Sequence, residues 1–276
     1  MTNRHRRFVT NNLSLTKEVR YMTPPKLLDE AALKERELLI INTAVLLIQQ
    51  HGIENLTMDK VVAKVPFSKG TVYKHFIGKE DLLLAISNHS MGIMADLFFR
   101  AFQFKGCARA RMLLLNFSYL IYAMLYPALF QCVLCAKSPN VVGKSSEKHI
   151  NENEQLEIKL MTSIHGIVEE GITDGSLVLP SHMDIQQLCF STWSMAYGSI
   201  TLLSSEVEQC SGRTSLIVER ELFNQSNLLF DGMAWQPLTK DKDHRHELKK
   251  ALAELYPEEL QKIKAKGREL NFDSFI

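Results

Sequence analysis

Residues 57–76 read TMDKVVAKVPFSKGTVYKHF, and this stretch gathers the side chains best suited to holding a nucleic-acid backbone. Ser68 and Lys69 begin a short segment whose first N–H groups and positive dipole end would favour a phosphate. Thr71 can donate to or accept from a base edge and offers a methyl group to thymine. Tyr73, Lys74, His75 and Lys79 add donors for phosphate oxygens. Val72 and Phe76, one helical turn apart, would face inward. To act together, these groups need two short helices meeting at a break. Thr57 caps the first, from Met58 to about Lys64, Pro66 interrupts it, and Ser68 caps the second, Lys69 to Phe76. A longer helix from Leu33 to Gln50 precedes them, with Ile41, Ala44, Val45 and Ile48 at helical spacing and Gly52 as its stop. This is the helix-turn-helix arrangement, whose first short helix crosses the duplex backbone and whose second enters the major groove.

On these residues the sequence resembles the TetR family of transcriptional repressors. The matching positions are Ala44, Gly52, Thr57, the run from Ser68 through Phe76, and Lys79-Glu80-Asp81-Leu82-Leu83, within about 34–94. The resemblance implies a homodimer whose two N-terminal modules bind a palindromic operator on double-stranded DNA. It also implies release by a small-molecule effector, of unspecified identity, held in the C-terminal domain. Carried over by position, Thr57, Lys69, Tyr73, His75 and Lys79 would hold phosphates, while Gly70, Thr71 and Lys74 would face bases. Two positions depart from the family pattern, which has a small Ala where Val62 stands and Gly where Pro66 stands. Proline cannot adopt a positive φ and pushes Val65 out of the helical region, so the first short helix should end early.

The rest of the chain reads as helix, and the expected fold class is all-α. A helix opens at Lys79-Glu80-Asp81 and runs towards Arg100, followed by apolar segments at 109–126 and 128–136 and a polar loop, Ser138 to Ser146. Further helices are expected from Glu147 to Ile172, from Asp184 to Ser205 and from Thr214 to Met233. The domain reading is a basic arm at 1–32, a DNA-binding module at 33–94, an effector and dimerisation body at 95–235, and a charged tail at 236–276. Within that tail an amphipathic helix around 246–266, broken at Pro257, is expected. Ser191–Ser205, rich in small residues, and Leu216–Met233 would form a helical interface between two subunits, as in the family.

Charge follows these divisions. Residues 1–80 hold 13 Lys and Arg against 8 Asp and Glu, whereas 81–235 hold 10 against 15. The overall charge of +1 is therefore a cancellation between a basic reading end and an acidic body, which suits a duplex-binding module. Arg4, Arg6, Arg7, Lys17 and Arg20 could reach the minor groove or backbone as an arm, or remain solvated.

Other chemistries find little support. The odd count of five cysteines suits a reducing cytoplasm rather than a disulfide framework. Cys132 and Cys135 lack further ligands at zinc spacing and are expected to be inert. Asp241, Asp243, His244 and His246 are expected to be solvated rather than metal-bound. No phosphate loop, nucleophile elbow or zinc-protease motif appears, so the chain is expected to be neither an enzyme nor a holder of a cofactor. Met112–Ala136 carries no charge and has the length of a membrane span, but Asn116, Ser118, Gln131 and Pro127 favour two core helices with no membrane partner. Among the body residues Phe117, Tyr119, Tyr122, Met124, Tyr126, Phe130, Met161, His165, Trp193 and Tyr197, plain core packing is the expected role, with an effector cavity as the alternative. Two other readings of the whole remain: a dimeric scaffold whose Pro66-altered module no longer reads DNA, and a membrane-attached protein using Met112–Ala136.

Overall fold

The computed structural model describes residues 29–204, 212–213 and 215–270, and all regular structure among them is helical. The basic residues of the expected arm, Arg4 to Arg20, lie outside the described residues. The N-terminal module comprises α1 (Glu30–His51), α2 (Met58–Val62) and α3 (Lys69–His75). Asp29 caps α1 by accepting from the Ala32 amide at 2.7 Å, so the helix begins inside the range assigned to the arm. Gly52 ends α1 at φ 82°, a backbone state open to glycine at no steric cost.

The body begins with α4 (Lys79–Gln103), α5 (Ala108–Leu125), α6 (Pro127–Ala136), the single turn α7 (Pro139–Val142) and α8 (Glu147–Thr173). It continues with α9 (Ile185–Ser204), α10 (Val218–Gly232), α11 (His244–Leu255) and α12 (Pro257–Ala265). Every residue of α5 is buried, because α4, α6, α8, α9, α10, α11 and α12 all pack against it. The charge-free stretch is therefore core over residues 112–125. It bends by 114° between α5 and α6, where Pro127 follows Tyr126.

Burying α5 on all sides also buries its two arginines. Arg109 pairs with Asp231 at 2.7 Å and donates to Asn227 Oδ1 at 2.9 Å, while Arg111 pairs with Glu170. Both pairings tie α5 to neighbouring helices, and each leaves a buried guanidinium with a carboxylate partner.

The segment after residue 236 is not a solvated tail. Leu248, Ala251, Leu252 and Tyr256, at helical spacing along α11 and its end, are all buried, and α11 and α12 both pack on α5. The Tyr256 hydroxyl donates to the Leu97 carbonyl at 2.8 Å, and Lys266 Nζ donates to the Leu125 carbonyl at 2.8 Å. Arg100 lies over the Tyr256 ring at 4.7 Å and pairs with Glu259 at 2.6 Å. His244, expected in solvent, is buried with Nε2 against the Pro237 carbonyl at 3.0 Å. Among the described residues no group of side chains could hold a metal. If α11 is structural, Leu252→Ala should cost about 2–5 kcal/mol of unfolding free energy in a urea titration. An exposed-tail role predicts no change.

Candidate nucleic-acid interface

The two short helices form as their caps dictate. Thr57 Oγ1 accepts from the Lys60 amide at 3.3 Å, and Ser68 Oγ accepts from the Thr71 amide at 3.2 Å. α2 closes after Val62: the amides of Lys64 and Val65 turn back to the Val61 carbonyl at 3.0 and 3.2 Å, ahead of Pro66. The inner faces share one core, in which Val61, Val72 and Phe76 are fully buried against Ile40 and Ala44 of α1. Arg36 lies over the Phe67 ring at 4.9 Å and holds the break between the helices to α1.

With Val72 and Phe76 locked inward, α3 turns Lys69, Gly70, Tyr73 and Lys74 to solvent, and Thr71 is half-buried beside them. The Thr71 and Ser68 hydroxyls lie 2.9 Å apart. A side chain added at Gly70 would meet nothing closer than 4.0 Å, so close approach of a partner, not internal crowding, is what its bare backbone permits. Lys69 pairs with Asp59 of α2 at 2.9 Å, with its ammonium 5.7 Å from the Tyr73 ring centre. Both partners of that pair are largely exposed, so a phosphate can compete for the lysine at little cost. Lys79 Nζ donates to the Glu54 carbonyl at 3.2 Å, pinning the loop before α2. Thr57 is exposed at the start of α2.

His75 departs from its expected role. Its side chain is 8% exposed and Nδ1 lies 3.3 Å from Glu37 Oε2, so it faces α1 and the body rather than the outer face of α3. The reason is its neighbour: Phe76 enters the core, which turns His75 towards Glu37 of α1.

Residues 40–86 match the family model described as bacterial regulatory proteins, tetR family. That segment holds α2 and α3, so the match falls on the two short helices described above. Solved structures extend the likeness to the fold. A TetR-family regulator from Rhodococcus RHA1 is 18% identical, with a TM-score of 0.55, covering 72% of this chain and 97% of its own. PfmR, a TetR-family regulator from Thermus thermophilus, is 16% identical at a TM-score of 0.52, covering 70% and 97%. The Bacillus subtilis regulator FadR, solved in complex with stearoyl-CoA, is 16% identical at a TM-score of 0.52, covering 73% and 98%. No curated protein sequence matches the chain. The all-helical fold is thus shared with these solved regulators.

A cluster of charged groups behind α3, with Asp81 and His149 fully buried at its centre, joins the module to the body. Asp81, in the first turn of α4, is fully buried and accepts from the Ile77 amide at 2.9 Å and the Ser146 amide at 3.0 Å. His149, on the first turn of α8, is also fully buried and meets Asp81 through Nδ1 at 2.6 Å. Its ring stacks on Phe76 at 5.5 Å, and Nε2 faces Glu37 at 3.6 Å. Lys148, largely exposed, pairs with Glu37 from the rim at 2.5 Å.

Burial opposes ionisation of Asp81, but the contacts from His149 and the Ser146 and Ile77 amides outweigh it and hold the carboxyl at about 2. Glu37 is likewise penalised by burial, yet His149, Lys148 and His75 bring it down to about 2. Burial would lower His149, but its contacts with Asp81 and Glu37 raise it from 6.5 to about 9. The acid Asp81 was visible in the sequence as part of a helix opening; its partner His149 lies 68 residues away and carried no local signal.

The sign of the pH dependence follows. Stability from protonated His149 is complete below pH 6.5 and is lost as pH rises through about 9. Stability from Asp81 and Glu37 is complete above 3.8 and 4.5 and is lost as pH falls through about 2. The urea midpoint should therefore be flat between pH 4.5 and 6.5 and decline towards pH 9. In His149→Gln the alkaline decline should disappear; an unchanged decline would assign it to other groups.

Proposed function

We propose that this chain is a ligand-responsive, sequence-specific repressor that binds a palindromic operator on double-stranded DNA as a cytoplasmic homodimer. The observation that carries the reading is the outer face of α3, where Lys69, Gly70, Tyr73 and Lys74 are exposed while Val72 and Phe76 anchor the helix from behind. Lys69 and Tyr73 would hold phosphates, with Thr57 and Lys79 beside them; Gly70, Thr71 and Lys74 would meet base edges, and Ser68 would fix the start of the helix. His75 is reassigned to positioning, since Glu37 engages it.

Dimerisation is supported by α9 and α10, which pack side by side and leave Phe190, Leu202 and Leu228 well exposed. A palindrome read by two modules requires the twofold relation such an interface supplies. The stearoyl-CoA held by the Bacillus subtilis FadR supports a small-molecule effector for the body here. Effector binding would favour a dimer whose two α3 helices are wrongly spaced for successive major grooves.

Selection from random duplexes should enrich a palindrome. Enrichment of none would instead favour the scaffold reading, which the five-residue α2 ahead of Pro66 supports. On the selected site, Tyr73→Ala should weaken binding, and Lys69→Ala should also lower the slope of log affinity against log salt by about 0.9. Asp59→Asn releases Lys69 from its intramolecular partner and should tighten binding in the same titration.

A further inference from the structure

Module and body meet through two kinds of contact that respond differently to rotation. α1 packs on α4 and α6, and the apolar core of the module runs on into that of the body. Apolar burial is non-directional, so by itself it ranks small rotations of the module weakly. The charged contacts are directional. Glu37 of α1 divides its two carboxylate oxygens between module and body. Oε2 lies 3.3 Å from His75 Nδ1 in the last turn of α3 and 2.5 Å from Lys148 Nζ, while Oε1 faces His149 Nε2 at 3.6 Å. His149 is itself fixed to α4 twice over. Its Nδ1 meets Asp81 at 2.6 Å, and its carbonyl accepts from Nδ2 of the buried Asn88 at 2.8 Å. Asn153 Nδ2 donates to Asn88 Oδ1 at 2.8 Å, one turn further along α8. Polar contacts thus lock α4 to α8, and Glu37 keys α1 and α3 to that lock. Between α3 and α4 the chain passes only through Phe76, Ile77 and Gly78. Rotating the module there would stretch the Glu37 contacts, and a part-buried charge parted from its partners is costlier than a displaced methyl group.

This rigidity gains a meaning in a dimer. In a twofold pair, a tilt of each module moves its α3 towards or away from its copy, so the two shifts add in their separation. Palindromes that differ by one central base pair place their half-sites about 3.4 Å and roughly 35° apart from one another. We propose that Glu37, His149 and Asp81 are positioning residues that determine operator spacing, by holding each module at one angle to the body so that the dimer accepts one spacer length and rejects its neighbours. This rests on the palindrome-reading dimer above and deepens it: the outer face of α3 reads half-site sequence, and the cluster behind α3 selects half-site separation.

The test compares the full chain with Glu37→Gln and with the double variant Asp81→Asn/His149→Gln, which keeps the shape of the buried pair without its charge. Affinities are measured for the selected palindrome, for versions with one central base pair added or removed, and for a single half-site. Separately, a nitroxide on a non-canonical residue replacing the exposed Lys64, just past α2, reports the distance between the two modules of the free dimer by pulsed electron resonance. In both variants the penalty for a changed spacer should shrink by about tenfold, within the range by which one linking residue alters the coupling of two parts. Half-site affinity should be unchanged, and the single narrow distance of the parent should broaden. A urea titration establishes that each variant is folded; if the double variant is not, Glu37→Gln decides alone. Spacer discrimination that survives the substitutions, or a distance that stays narrow, would overturn the proposal and leave the DNA-reading function standing. Equal losses on the half-site and on every palindrome would also overturn it, because the cluster would then hold α3 itself rather than the angle of the module. A dimer whose distance broadens as expected but which selects no duplex would overturn the repressor reading instead. A chain with no signal between protomers would overturn both.

Discussion

The buried pair of Asp81 and His149 is the constraint on which the arrangement of module and body depends. Two fully buried ionisable groups are costly to bring out of water, and each is tolerated because the other is 2.6 Å away. Asp81 spends its remaining acceptor capacity on the amides of Ile77 and Ser146, which fixes the start of α4 against the approach to α8. The His149 ring then lies on Phe76, the last core residue of the recognition segment. Moving α8 relative to α4 would part the pair or drag Phe76 with it. The orientation of α3 is therefore linked to the body through charge as well as packing.

The body can impose such a constraint because α5 gives its helices a common axis. A helix buried around its whole circumference can have no free face, so every neighbour is held to it at once. The arginines of α5 reinforce this by reaching across to α8 and to the end of α10.

Much of the module was legible in the sequence because its determinants are local. The caps Thr57 and Ser68, the break at Pro66 and the inward pair Val72 and Phe76 each depend on residues within a turn or two. Where partners are remote, local reading failed. His75 was assigned to phosphate by its type, but Glu37, 38 positions earlier, decides where its ring points. The amphipathic helix expected around 246–266, broken at Pro257, corresponds to α11 and α12, but the density of charge in 236–276 gave no sign that Leu248, Ala251, Leu252 and Tyr256 dock on α5. In the body, core packing was the expected role of Phe117, Tyr119, Tyr122 and Phe130, and all four are buried, although which helices bury them follows only from their assembly around α5.

The docking of α11 and α12 on α5 has a consequence for the newly made chain. The Leu125 carbonyl and the Leu97 carbonyl receive their partners from Lys266 and Tyr256, which are synthesised long afterwards. At about 5–20 residues per second, the stretch between Leu125 and Tyr256 takes roughly 7–26 s to translate. Throughout that interval the fully buried helix α5 has at least one flank uncovered, while α1 to α3 can already close their own small core. The nascent protein thus presents a finished reading head on an unfinished body, and chaperones would be expected to engage the flank of α5 during that time.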